Sequence, residues 1–235
     1  MNKIGIIAAM NEELVYLRSF MKVETSKNML DTDFYTGNLF GKNVVLARSG
    51  IGKVNAASCA QSIIDLYNVD CVINVGAAGA IKKDLNIGDV VIADDLVQYD
   101  FDASAFGDAL GIIPRMSESY FKCDKNLLEI AKKFADKSSQ DDPSVNYYVG
   151  RVASGDKFVS SEADKKFISD NFNAYCAEME GAAIAQVCFL NEVPFIVLRT
   201  ITDNASESAI GYYKKFMSSV TRNTTEIIKY ILSEC

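Results

Sequence analysis

The chain has 235 residues, 49 % apolar and 23 % charged. That is enough hydrophobic material for a single domain spanning 1–235, and it excludes disorder as the dominant state. A net charge of −7 argues against nucleic acid or an anionic membrane as the main partner, because both are held largely by basic patches. Histidine is absent, which removes Ser-His-Asp triads, Cys-His pairs and imidazole ligands for zinc. Acid-base work must then fall to carboxylates, Tyr, Lys or Cys. The six cysteines are scattered without a C-x-x-C pair, several of them inside apolar runs, as expected of reduced thiols in a cytoplasmic protein.

Taken in chain order, Lys3 to Ala9 is expected as a buried strand, Glu12 to Met21 as a helix, and Asp33 to Leu39 with Asn43 to Arg48 as a hairpin. Glu12 and Glu13 follow the first apolar run where a signal peptide would need more apolar length. The pattern continues with a helix from Lys53 to Tyr67, strands at Asp70 to Val75 and Asp89 to Ala93, a helix from Asn126 to Lys137 and a strand from Asn146 to Ala153. A short helix from Glu162 to Asp170, a strand at Ala174 to Ala177, a helix from Glu178 to Leu190 and a strand from Pro194 to Ile201 come next. In the last helix, Gly211 to Leu232, Phe216, Val220, Ile227, Ile228 and Ile231 form one apolar stripe. Ser138 to Ser144 is the only linker-like stretch and is too short to separate domains. The longest charge-free runs, such as Cys71 to Ile81 and Gly181 to Asn191, are too short to span a bilayer. Strands alternating with helices predict a mixed or parallel sheet covered on both faces.

In such sheets ligands settle beyond the carboxyl ends of strands, and four segments there carry candidate chemistry. In Ala8 to Glu13, small residues end a strand and two acids open a helix; on their own these acids complement a helix dipole. Ser49 to Val54 and Asn74 to Ala80 are glycine-rich and read as tight turns after strands. Neither is a nucleotide fingerprint, since Ala47 and Val54 break a P-loop and Asn55 breaks a dinucleotide motif. Glu178 and Glu180 stand two residues apart at a strand-helix junction, so that one can turn inward while the other caps. Arg199 and Asp203 lie at the end of a strongly apolar strand, where an Asp is ordinarily a cap or turn former.

Together these segments resemble the 5'-methylthioadenosine/S-adenosylhomocysteine nucleosidases of the nucleoside phosphorylase superfamily. The match rests on Ile4 to Met10 with Glu13, Ser49 to Val54, Ser154-Gly155-Asp156 with Phe158, Ala177 to Glu180, and Arg199 with Asp203, in family order along nearly the whole chain. The resemblance implies a three-layer α/β/α sandwich with a central twisted mixed sheet, and a homodimer that hydrolyses the bond between adenine and a thioribose; with no histidine and no cysteine ligand set, no metal or cofactor is expected. It implies that Asp203 protonates adenine N7, Glu13 activates water and Arg199 helps to place that water. Glu180 would accept the ribose hydroxyls beside Glu178, with Met179 and Met10 at the sugar. Phe158 would stack on adenine and the Val159 backbone would read its edge. Ile51, Tyr213 and Phe216 would line the alkylthio pocket, and Phe106 and Pro114 would complete the partner's site. Ala77 departs from the Ser common in relatives. Three alternatives stand beside this reading: a purine nucleoside phosphorylase, disfavoured because Asn74 and Ala77 replace an Arg and a Ser that hold phosphate; an aminodeoxyfutalosine nucleosidase; and a non-catalytic adenosine-binding module.

Overall fold

The apolar strand β1 (Lys3–Ala8) lies between two parallel neighbours, β4 (Lys42–Arg48) and β5 (Cys71–Ala80), as a strand buried on both faces should. The computed structural model describes residues 1–141, 145–205 and 209–235; the side chains of 140–141 and 209–221 lie outside that description. On one side of the sheet, α2 (Lys53–Tyr67) packs on α5 (Gly181–Leu190). On the other, α1 (Asn11–Ser19) and α3 (Lys125–Asp141) pack on α6 (Ala209–Glu234), whose Ile227, Ile228 and Ile231 are buried. This is the expected three-layer arrangement with a mixed sheet.

The sheet also closes on itself. β10 (Phe195–Asp203) runs parallel to β5 and antiparallel to β6 (Val90–Gln98), which is parallel to β8 (Tyr147–Ser154). β8 is parallel to β9 (Cys176–Glu178), and β9 returns antiparallel to β5. The ring gathers the ends of β5, β8, β9 and β10 in one place. From β1 the sheet extends the other way through β4 and β3 (Thr32–Leu39) to β2 (Lys22–Met29).

Four differences from the sequence reading have physical causes. Asn74 to Ala80 is not a turn: β5 continues through it, paired to β10 as far as Gly79. Its residues are small because other side chains occupy the space above them. A Cβ on Gly76 would lie 2.5 Å from Arg199 Nη1, and one on Gly79 would lie 2.8 Å from Asp203 Oδ1. β6 likewise runs on past Ala93, shifting register between Ala93 and Leu96 where Asp94 and Asp95 interrupt the apolar run; Asp95 is held bidentately by Arg151 at 2.5 and 2.7 Å. β2 and the three-residue β7 (Tyr120–Lys122) have no apolar periodicity to announce them; β2 is a polar, exposed edge strand paired on one side only. Finally, α5 begins at Gly181 instead of Glu178, so both acids precede the helix. α4 (Glu162–Phe172) follows the expected short helix, capped by the Ser161 hydroxyl.

Candidate active site

A cleft of about 270 Å³ opens where the ring gathers its strand ends. It is lined by Ala9, Met10 and Glu13 from the β1–α1 junction, by Ile51 after β4, and by Ala77, Ala78 and Gly79 from β5. Lys157, Phe158 and Val159 come from the loop after β8, Ala177 to Glu180 from β9 and its exit, and Thr202 and Asp203 from the end of β10. The structure therefore brings together Glu13, Asp203, Glu178, Glu180, Met179, Met10, Phe158, Val159 and Ile51.

Glu13 is held by three backbone donors. Its Oε2 accepts from the N–H groups of Ala9 and Met10 at 2.9 and 3.0 Å, and its Oε1 accepts from Ala77 N–H at 3.0 Å. The Met10 contact is a helix-capping bond, so the ordinary reading of this acid holds in part. The Ala77 contact is not, since it reaches across to β5. Burial raises its carboxyl above the usual range, against the opposing pull of those N–H groups and Arg199.

Arg199 does not line the cleft; it supports the groups that do. It is 1 % exposed, and its Nη2 donates to Asn74 Oδ1 at 2.6 Å and to Glu178 Oε2. Burial works against its charge, but Glu178, Glu180 and Glu13 outweigh that and hold the guanidinium ionised. Its Nε has no hydrogen-bond partner among the described residues. Asn74, whose Nδ2 donates to Ile7 O at 2.9 Å, is thus a strut between β1 and Arg199.

The two acids of the Glu178-Met179-Glu180 segment divide their work as their spacing allows. Glu178 caps α5, accepting from the N–H groups of Glu180 and Gly181 at 3.0 and 2.8 Å, and also takes the Ser154 hydroxyl. Ser154 in turn accepts from Ala182 N–H at 2.7 Å. The Glu178 oxygens are thereby committed to protein donors. Glu180 is the freer acid: its Oε1 accepts from Gly52 N–H at 3.0 Å. Burial and then the nearby charge of Glu178 push its carboxyl up to about 8.

That shift has a measurable consequence. Between the ordinary 4.5 and about 8 the folded protein keeps a proton that the unfolded chain has released, so Glu180 reduces stability as pH rises through that window. In Glu180→Gln the side chain is neutral at every pH and still offers an oxygen to Gly52. Its stability should match the wild type near pH 4 and exceed it above pH 8 by on the order of a few kcal/mol, read as a higher Tm. Thermal melts at the two pH values check this; equal Tm values at pH 9 would contradict it.

Asp203 Oδ1 accepts from Ala205 N–H at 2.8 Å and Oδ2 from the Thr202 hydroxyl at 3.0 Å. Burial raises its carboxyl above the ordinary value despite those donors and the charge of Lys165. Among the described residues it is the only acid on the β10 side of the lining.

Of the remaining candidates, Phe106 and Pro114 are exposed and away from this cleft. The side chains of Tyr213 and Phe216 lie outside the described residues. Ser154, Thr202, Lys157 and the strut role of Asn74 were not foreseen. Thr202 adjoins Asp203 and bonds to it directly, whereas Ser154 opens a quoted motif but finds its partners, Glu178 and Ala182, 24 and 28 residues away. Among the described residues no group of three or more Cys, Asp or Glu is placed to hold a metal ion, and no helix is long and apolar enough to cross a membrane.

Residues 3–233 match the family model of the phosphorylase superfamily, and the chain belongs to that superfamily. It is 38 % identical over 232 residues to the 5'-methylthioadenosine/S-adenosylhomocysteine nucleosidase of Geobacillus sp. (strain WCH70), covering 98 % of each chain. It is similar to the nucleosidase of the same name from Neisseria meningitidis in complex with methylthio-immucillin-A, with TM-score 0.94, 36 % identity and 100 % of both chains covered. A futalosine hydrolase of Helicobacter pylori is also similar, with TM-score 0.93, 35 % identity, and 100 % of this chain and 98 % of that one covered. Within the superfamily the chain belongs to the 5'-methylthioadenosine/S-adenosylhomocysteine nucleosidases, which are N-glycosyl hydrolases.

Proposed function

We propose that this protein hydrolyses the N-glycosidic bond of 5'-methylthioadenosine and S-adenosylhomocysteine, releasing adenine and the thioribose. The observation that carries the reading is the pairing of Glu13 and Asp203 in one cleft, each with a carboxyl raised by burial. Glu13 Oε1 lies against Gly76 and Asp203 Oδ1 against Gly79 of the same strand, β5. An acid for the leaving group and a base for the water are the two groups that glycoside hydrolysis needs about the ribosyl centre.

In the proposed reaction the C1'–N9 bond breaks through an oxocarbenium-like state while Asp203 gives its proton to N7, so adenine leaves neutral. The water oxygen bonds to C1', and its proton passes to Glu13. Arg199 acts through its neighbours, keeping Glu178 and the Glu13 region in register. Glu180 accepts the ribose hydroxyls and Met179 and Met10 pack on the sugar. Phe158 stacks on the base while the Val159 backbone meets its edge, and Ile51 lies at the alkylthio end. Glu13, Glu178, Glu180 and Asp203 line the cleft against Lys157, and the Arg199 guanidinium is already held by Glu178 and Asn74; this acidic lining opposes entry of a phosphate dianion, which supports hydrolysis over phosphorolysis.

The likeness to a futalosine hydrolase supports a second reading, aminodeoxyfutalosine as substrate with the same acid and base. Measuring kcat/KM for 5'-methylthioadenosine, S-adenosylhomocysteine and aminodeoxyfutalosine in parallel tests the choice. The first two should be turned over with comparable efficiency; release of adenine from the third alone would overturn the assignment.

The proposal extends to a cytoplasmic, homodimeric enzyme of one domain that serves methionine salvage. Six free cysteines support the reducing compartment. Phe106 is 89 % exposed and so does not anchor its own loop, which supports a role for Phe106 and Pro114 against a partner subunit. Phe106→Ala should weaken binding of 5'-methylthioadenosine more than binding of adenine, with the wild type eluting as a dimer. A fully active monomer at nanomolar concentration would contradict that arrangement.

A further inference from the structure

Three residues outside the cleft lining close a ring that ties two of its walls together. Lys53 opens α2, and its N–H donates to Asp156 Oδ1 at 2.8 Å. The N–H of Asp156 donates to Asp100 Oδ2 at 2.9 Å. Asp100 Oδ1 takes the Lys53 ammonium at 2.6 Å, which completes the ring, and Gln98 Oε1 accepts from the same Nζ at 3.1 Å.

The ring answers a local deficiency. The N-cap residue of α2 is Gly52, with φ +94 and no side chain to satisfy the first turn. Asp156 supplies that cap from a distant loop, seated so closely that a Cβ on Gly52 would lie 3.1 Å from its Oδ1. Meanwhile the N–H of Gly52 itself points to Glu180 Oε1 at 3.0 Å. Two successive N–H groups thus bind two carboxylates, one within the cleft and one behind it. Ile51 immediately precedes this pair on one wall, and Asp156 immediately precedes Lys157, Phe158 and Val159 on the other.

We propose that Lys53, Asp100 and Asp156 form a latch that sets the spacing between the Ile51–Glu180 wall and the Phe158 wall and thereby governs affinity for the nucleoside. They are positioning residues, since none lines the cleft. The role rests on the reading of the cleft as a nucleoside site. The side chains of Lys53 and Asp100 are 18 % and 28 % exposed, so the pair is partly buried and its loss carries some cost in stability, which a thermal melt of each variant separates from the effect on binding. That effect arises because without the latch the ligand must order two loops that are otherwise already in place.

Asp156→Ala should raise KM by about tenfold while kcat stays within about threefold of wild type, the signature of lost binding shared by ground and transition states. Asp156→Asn keeps an oxygen for the Lys53 N–H and should restore KM. Because one ring is broken only once, Asp100→Ala combined with Asp156→Ala should cost no more than either alone. Hydrogen exchange gives a readout independent of turnover: the amides of 50–56 and 155–159 should accelerate together in both single variants. An unchanged KM in Asp156→Ala, a fall in kcat alone, no rescue by Asn, or acceleration confined to one of the two segments would each overturn the latch. A wild-type protein inert towards every nucleoside would defeat the functional reading, and the exchange result would still decide the latch.

Discussion

Asp203→Asn is expected to lower kcat on 5'-methylthioadenosine by roughly 10²-fold or more, the usual scale for loss of a general acid. The substitution separates chemistry from structure. An Asn oxygen can still accept from Ala205 N–H, as Asp203 Oδ1 does at 2.8 Å, so a residue that merely shaped the turn would tolerate the change. An amide has no proton of suitable acidity to give to N7. Steady-state kinetics together with a thermal melt check the outcome; near-normal turnover would return Asp203 to a turn former. The raised carboxyl also sets a direction in pH, since burial keeps Asp203 protonated further up the scale than an ordinary aspartate. Activity should fall as pH rises through its titration, and the limb it controls should vanish in the variant.

Glu13→Gln is expected to have an effect of similar size, again about 10²-fold or more in kcat, with a structural cost that Asp203→Asn avoids. Both Glu13 oxygens accept from backbone N–H groups, and an amide must turn its NH2 towards at least one of those donors. A buried donor left unpaired costs about 1–3 kcal/mol, so the variant should melt lower yet remain folded and bind the nucleoside in calorimetric titration. Bound but uncleaved substrate is the result that assigns Glu13 to the water. Turnover reduced only in proportion to the unfolded fraction would confine Glu13 to its capping role at α1.

Much of this arrangement was legible because the signals were local. α2 runs from Lys53 to Tyr67 as its apolar spacing indicates, and the order of strands and helices follows the alternation of periodicities. Where local pattern and tertiary packing diverge, the reading was misled. Gly76 to Ala80 looks like a turn, yet it is a strand whose small residues make room for Arg199, Glu13 and Asp203. β2 has no buried face and so no alternation to detect. In the site, the candidate residues sit near strand ends, and of the two acids at the junction Glu178 caps α5 while Glu180 lines the cleft with one bond to Gly52. What no local pattern contained was long-range hydrogen bonding. Arg199 is anchored by Asn74 and Glu178, and the ring through Lys53, Asp100 and Asp156 joins segments with no shared motif.

The central claim, an acid and a base acting on water at a ribosyl carbon, is tested most directly by the products formed from 5'-methylthioadenosine in phosphate-free buffer by chelator-treated enzyme. The account predicts stoichiometric adenine and a free reducing thioribose, at a rate unchanged when phosphate is added. Turnover that requires phosphate and yields a sugar 1-phosphate would contradict it.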